Sequence, residues 1–288
     1  MRTLLFHNPT AGHGEISPED LRRLLRRADL DPAYHSIKEA SFADALRDPA
    51  DLIVAAGGDG TVAKVIANLP DRSRPLAILP LGGANNIARS FGIEGDLEEL
   101  VHLLRAAPRR PLTLGRVRGP WGSQMFVDGV GIGALARAIA AVHDARIPRL
   151  DKLRAGREAM RRILEDGCAE ALRLTLDGAT IEGDLFMAEA MNVRFTGPRL
   201  PLAPAADPGD DLLDVVTVGR DEREQMRAWL EWADADEPPP GTVRRGRRLT
   251  FTWRGEPLRI DDDLPDPNGA PAEVVVEMEP EPVWVVVP

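Results

Sequence analysis

Gly57-Gly58-Asp59-Gly60-Thr61 sets three glycines around one carboxylate at the end of the apolar run 52–56, and residues 62–69 carry the apolar spacing of a helix. A strand that ends in such a turn ahead of a helix makes an anion site. Glycine lets the backbone approach a ligand closely, and the first amides of a helix are unsatisfied donors at its positive end. The chemistry this suits is phosphate binding. It is not a P-loop, because Lys64 follows Val62-Ala63 and no Walker-type lysine is present. By spelling alone the stretch also fits an ordinary tight turn between strand and helix.

Two further glycine-bearing loops follow apolar runs: Asn8-Pro9-Thr10-Ala11-Gly12-His13-Gly14 after 3–7, and Gly82-Gly83-Ala84-Asn85-Asn86 after 76–81. Carboxylates cluster twice in the second half, as Asp210, Asp211 and Asp214 and as Asp261, Asp262 and Asp263. Hard carboxylate oxygens bind Mg²⁺, and a carboxylate beside a transferred phosphoryl group accepts a hydroxyl proton. A solvated acidic turn has the same spelling, and spacing leaves both readings open.

Other chemistries have less support. Residues 129–134 match G-x-G-x-x-A with Asp151 downstream, the spelling of a nicotinamide-binding turn, but that turn belongs in an alternating βαβ unit. Glycines packing a strand end against a helix account for it. The five histidines are scattered, with no H-E-x-x-H pair, and there is no G-x-S-x-G elbow. Cys168 is the only cysteine, which excludes an intrachain disulfide and a cysteine-based zinc site and fits a core thiol in a reducing compartment.

The phosphate-type loops need strands to deliver them. Strand-like runs at 3–7, 33–37, 52–56 and 76–81 alternate with helical patterns at 18–28, 42–47 and 62–69. Ser17-Pro18-Glu19-Asp20 signals a helix start with an N-cap serine, a proline at the first helical position and first-turn acids. Such alternation predicts a parallel sheet flanked by helices, with ligands at the carboxyl ends of the strands, where all three glycine loops fall. After Pro108-Arg109-Arg110-Pro111 the pattern becomes β-rich. The expected organisation is an α/β domain over 1–111 and a mostly antiparallel domain over 112–288, with a helical insert at about 134–165 and a helix at 222–233.

The 288 residues are 43% apolar and 28% charged with a formal net charge of −10, the composition of a globular protein and the wrong sign for a broad nucleic-acid footprint. Basic character is local. Arg146, Arg149, Lys152, Arg154, Arg157, Arg161 and Arg162 share the helical stretch 146–162 with Leu150, Leu153, Met160 and Leu164, and Arg244, Arg245, Arg247 and Arg248 form a second group. A solvated face over a core and a contact with anionic lipid headgroups both fit the helix. Without a secretory h-region or a long apolar run, the expectation is a cytoplasmic protein, peripheral to the membrane if the basic helix docks there.

In combination and in order, Asn-Pro-x-x-Gly at 8–12, Gly-Gly-Asp-Gly-Thr at 57–61, Pro-Leu-Gly-Gly-Ala-Asn-Asn-Ile-Ala-Arg at 80–89 and Asp-Asp-Leu-Leu-Asp-Val at 210–215 resemble the diacylglycerol kinase catalytic-domain family, which includes bacterial lipid kinases and sphingosine kinases. The resemblance implies an N-terminal α/β domain like that of phosphofructokinases and NAD kinases and a C-terminal β-sandwich whose last strand returns to the first domain. It implies ATP as co-substrate, Mg²⁺, and a lipid hydroxyl as acceptor. Carried over by position, Asn8, Gly12, Gly57, Gly58, Asp59, Gly60, Thr61, Gly82, Gly83 and Asn85 are the nucleotide-site residues. Asp261 stands as general base with Asp263 beside it, and Asp210 and Asp214 stand as acids around a structural Mg²⁺.

The chain departs from the family pattern at four places. Gly83 replaces the threonine of G-T-x-N-[DN], Ala63-Lys64 replaces an Asn-Glu pair, Asp261-Asp262-Asp263 stands for D-G-E, and Asp211 stands where glycine is usual. An NAD kinase, which shares the G-G-D-G-T loop, and a non-catalytic nucleotide- or lipid-binding relative are the alternatives.

Overall fold

The computed structural model describes residues 1–12, 16–145, 151–167, 169–233, 238–266 and 270–288. His13 and Gly14 of the first loop, Arg146, Arg149 and Leu150 of the basic stretch, and Cys168 lie outside the described residues. The chain divides into two compact units, Met1–Leu112 with Glu281–Pro288 and Thr113–Pro280.

The first unit runs β1 (Arg2–His7), α1 (Pro18–Arg27), β2 (Asp31–Ser36), α2 (Phe42–Ala45), β3 (Leu52–Gly57), α3 (Asp59–Ala67), β4 (Leu76–Pro80), α4 (Asn86–Ser90), α5 (Leu97–Leu103) and β5 (Arg109–Leu112). Its sheet order is β2-β1-β3-β4, then the C-terminal strand Val283–Val286, then β5. The ladders from β2 to the C-terminal strand are parallel, and β5 closes the edge antiparallel to that strand. β3 is buried along its whole length, and β1 and β4 along most of theirs, as parallel strands covered by helices on both faces must be. Ser17 Oγ accepts from the Asp20 amide at 3.1 Å ahead of Pro18, and Leu21 and Leu25 of α1 pack with Leu5, Leu52, Val54 and Leu79.

Two boundaries differ from the sequence expectation. α3 begins at Asp59 and not at 62, so Asp59, Gly60 and Thr61 form its first turn. Glycine's low helix propensity hides the start, whereas the Thr61 and Val62 amides both donate to Gly58 O at 2.9 and 3.1 Å. The Pro-Arg-Arg-Pro stretch, read as a boundary, lies across β5, an edge strand where proline is tolerated.

The second unit contains β6 (Gly115–Gly119), β7 (Gly122–Phe126), β8 (Gly129–Gly133), α6 (Ala134–Asp144), α7 (Lys152–Asp166), β9 (Glu170–Leu176), β10 (Ala179–Met191), β11 (Leu213–Gly219), α8 (Arg223–Trp232), β12 (Thr242–Gly246), β13 (Arg248–Trp253), β14 (Leu258–Ile260) and β15 (Ala272–Met278). The chain then returns as β16 (Val283–Val286) to the first unit's sheet. All ladders of the second unit are antiparallel, in the order β12-β11-β10-β9-β13-β15-β6-β7 with β8 joining β10 to β14. β10 organises them: its first half pairs with β9 and its second half with β8, while β11 lines 185–191 on the other side. A core with Val117, Phe126, Ile132, Leu174, Phe251 and Val276 fills the sheet, and a second core packs α6, α7 and α8 around Met160, Leu202 and Trp229. Residues 242–246, read only as part of a charged patch, form edge strand β12. Its ladder partner is β11, and its arginines project from an exposed edge where burial imposes no apolar pattern.

Candidate active site

The three glycine loops of the first unit meet through their backbones. A Cβ on Gly82 would stand 2.4 Å from Gly58 Cα, and one on Gly12, whose φ is +56°, would stand 2.9 Å from Leu81 O. Only glycine allows both approaches. Asp59 joins the loops electrostatically: its Oδ1 accepts from the Ile87 amide at 2.9 Å, in the first turn of α4. Asn85, itself left-handed at φ +54°, accepts from the Gly82 amide and donates to Gly82 O, each at 2.9 Å. Asn8 Oδ1 accepts from the Thr10 amide at 3.2 Å and the Thr10 hydroxyl at 3.0 Å. Asn8, Asp59 and Asn85 thus shape the loops with their side chains. Thr61 turns inward, its hydroxyl buried against Gly57 with no hydrogen-bond partner among the described residues.

Gly60 and Gly83 are different. A Cβ on either would meet nothing within 4 Å, and neither has a left-handed φ. Nothing in the packing calls for glycine at these two positions, and both face open space at the exposed surface of their loops. Gly60 lies in the first turn of the nine-residue α3, where amides precede the first intrahelical bond. The first-turn amides of a helix and its positive end suit an anion such as phosphate.

Asp261 follows β14 in a left-handed conformation, φ +51°, that aspartate tolerates better than most side chains. Its Oδ1 accepts from the amides of Val127, Asp128 and Gly129 at 3.1, 2.7 and 3.2 Å, and its Oδ2 accepts from the Val127 amide at 3.0 Å. The segment joining β7 to β8 therefore holds one oxygen closely and the other by a single amide. Burial pushes the carboxyl up to about 7 and the neighbouring Asp128 adds to the effect, against the three amides that favour the anion. Asp263 is exposed and ties the turn to β7 through Gln124 Nε2 at 3.1 Å. Asp262 needs no left-handed backbone, so replacing a glycine there strains nothing.

Beneath Asp261 lies an ionic cluster that spacing did not suggest. Arg259 is fully buried and donates to Glu189 Oε2 at 2.7 Å, to Asp128 Oδ1 at 3.3 Å and to Asp261 O at 3.1 Å. Burial raises the carboxyls of Glu189, to about 7, and of Asp128, while Arg259 opposes both rises. A Cβ on Gly131 would stand 1.8 Å from a Glu189 oxygen, and one on Gly129 3.2 Å from an Arg259 nitrogen. The glycines of the G-x-G-x-x-A stretch are there to admit this pair inside the sheet. The readable signal was a lone charge within an apolar strand run, Leu258-Arg259-Ile260 and Ala188-Glu189-Ala190, with opposite signs in the two.

Asp210 and Asp214, the candidate metal ligands, do come together, but around the guanidinium of Arg245. Arg245 Nε lies 3.3 Å from Asp214 Oδ1, and its Nη2 is bonded to Asp210 Oδ2. No cluster of three or more acids, histidines or cysteines able to hold a metal occurs among the described residues. On α7, Arg157 donates to the carbonyls of Pro198 and Arg199, Arg161 pairs with Glu158 and Glu231, and Arg162 pairs with Glu158. No helix of the described residues is long and apolar enough to cross a membrane.

The family profile described as diacylglycerol kinase catalytic domain matches residues 2–117. A protein named probable lipid kinase YegS-like, from Stenotrophomonas maltophilia, is 30% identical over 241 residues, covering 77% of each chain. A diacylglycerol kinase of Bacillus subtilis is 28% identical over 233 residues, covering 75% of this chain and 73% of its own. Among solved structures, a diacylglycerol kinase of Bacillus anthracis superposes with a TM-score of 0.70 over 100% of this chain and 97% of its own, at 21% identity. At that identity the likeness speaks for the fold alone.

Proposed function

The chain belongs to the diacylglycerol kinase catalytic-domain family, and from that membership we propose that it is an ATP-dependent lipid kinase, passing the γ-phosphate to a lipid hydroxyl. The observation that carries this reading is Asp261. A general base works best when its proton affinity is near the operating pH, and this carboxyl, pushed up to about 7, keeps one oxygen only lightly engaged. Asp261 Oδ2 takes the hydroxyl proton as the hydroxyl oxygen bonds to the γ-phosphorus and the bond to the ADP oxygen breaks. The loop after β3 holds the phosphates by backbone amides beside Gly58 and Gly60. Mg²⁺ accompanying ATP would supply charge neutralisation on those phosphates. Positioning and electrostatics carry most of phosphoryl transfer, so loop geometry and a fixed base are the larger part of what the protein contributes. Diacylglycerol, a sphingoid base and related lipid alcohols all present the required hydroxyl on an apolar body.

The test is incubation of the purified chain with γ-labelled ATP, Mg²⁺ and mixed micelles of total lipid extract, with Asp261→Asn in parallel, followed by chromatography of the organic phase. The expected outcome is a labelled lipid that the variant fails to make, the loss being about 10²–10⁴-fold for removal of a general base. Label on NAD would favour the NAD-kinase reading, and ATP binding without transfer to any acceptor would favour a non-catalytic relative.

A further inference from the structure

We infer that Arg245 takes the place of the divalent cation that the family resemblance assigns to Asp210 and Asp214, so that the chain supplies this acidic turn with its own counter-charge and the turn holds no metal. Asp214 is 2% exposed on β11 and cannot stay charged there without a counter-charge. The antiparallel register sets Arg245 of β12 directly opposite Asp214, so the sheet itself delivers the guanidinium, and no loop has to adjust. One arginine then spans both acids, Nε to Asp214 and Nη2 to Asp210.

Three further carboxylate oxygens of the turn have protein partners too. Asp210 Oδ1 accepts from the Leu212 amide at 3.1 Å, Asp211 Oδ1 from the Thr113 hydroxyl at 2.9 Å, and Asp211 Oδ2 lies 3.9 Å from Arg247. Mg²⁺ wants about six oxygens in octahedral array at about 2.0–2.1 Å. Here the facing carboxylate oxygens are engaged by a planar fork of N–H donors that never loses its charge. A divalent ion could enter only by displacing Arg245, leaving that guanidinium without its two acids. Asp211, at φ +57° where glycine is usual, fits the same account: it adds a carboxylate that holds the turn to Thr113 and faces Arg247.

The experiment is Mn²⁺ binding to the nucleotide-free full-length chain, followed by electron paramagnetic resonance, with an ion assigned to this turn only if Asp214→Asn loses it. Wild type is expected to hold none there. Arg245→Met, which leaves the two acids without their cation, is expected to gain one Mn²⁺ per chain and to lose it again in Arg245→Met/Asp214→Asn. A wild-type ion lost on Asp214→Asn overturns the inference, as does a folded Arg245→Met that binds none. Should Arg245→Met fail to fold, thermal unfolding of nucleotide-free wild type decides. An unchanged midpoint between Mg²⁺ and EDTA supports the inference, and a lower midpoint in EDTA overturns it.

Discussion

Asp261 combines two demands that ordinarily conflict, a fixed carboxylate and a carboxylate that still wants a proton. Three backbone amides fix it, and burial together with the charge of Asp128 restores its proton affinity. Replacing Asp128 by asparagine removes the repulsive charge and keeps the backbone amide. The rising limb of the pH profile for lipid phosphorylation, expected near 7 in wild type, should then move to lower pH. The same carboxyl carries a stability cost. The folded chain holds this proton more tightly than the unfolded chain, whose carboxyl keeps its ordinary 3.8, so stability falls as pH rises from there to about 7. Asp261→Asn should therefore unfold at a higher temperature than wild type at pH 8, with the gap closing toward pH 4, while losing transfer. Calorimetry across that range checks it. Arg259 is the opposite case, a buried cation that two acids need. Arg259→Met leaves Glu189 and Asp128 buried without it and should cost about 3–5 kcal/mol in urea unfolding.

Among the elements, the glycine loops separate packing from binding. Gly82→Ala drives a methyl into the Gly58 backbone at 2.4 Å and should lower the unfolding midpoint by the equivalent of about 1–3 kcal/mol. Gly60→Ala enters open space in the first turn of α3, where alanine is the better helix former, so the midpoint should hold or rise. If phosphate lies against the Gly60 backbone as proposed, ATP affinity should nonetheless fall about tenfold or more, close to 1.4 kcal/mol, because the methyl would hold the phosphate off the amides. Titration calorimetry with ATP beside thermal unfolding distinguishes the two variants. β1, β3 and β4 were legible because fully covered parallel strands spell continuous apolar runs, and α1 because its cap is spelled out in Ser17-Pro18. The start of α3 was not, since the Gly-Asp-Gly of its first turn reads as loop to any propensity argument. β12 was not, since an exposed edge strand of arginines has no apolar alternation to read. The site divides along the same line. The glycine loops announce themselves by local spelling and Asp261 was singled out only through the family resemblance, whereas the Arg259 cluster and the Arg245 clasp are made by residues 70 and 31 or more positions apart that only strand register brings together.

For the whole molecule, the consequence of that register is largest at the C-terminal strand. β16 lies between β4 and β5, so the sheet of the first unit is completed by residues 283–286 after the chain has built the second. The family resemblance implied that the last strand returns to the first domain, and nothing local in residues 283–286 spells its place in the sheet. Val283, Val285 and Val286 are buried there, and Arg72 donates to Glu281 O at 2.9 Å. Burying each valine contributes on the order of 1.5–3 kcal/mol, a large share of the stability of a domain of ordinary size. Without the strand, β4 and β5 lose their shared partner and the apolar edge of β4 is bared. A chain ending at Pro280 should therefore lose the first unit selectively. The amides of β3 and β4 should exchange rapidly with deuterium, while those of β10 and β11, whose ladders lie wholly within Thr113–Pro280, stay protected. Uniform protection of both sheets after truncation would mean that β16 covers an already stable edge; uniform loss would mean that the second unit depends on the first for its folding.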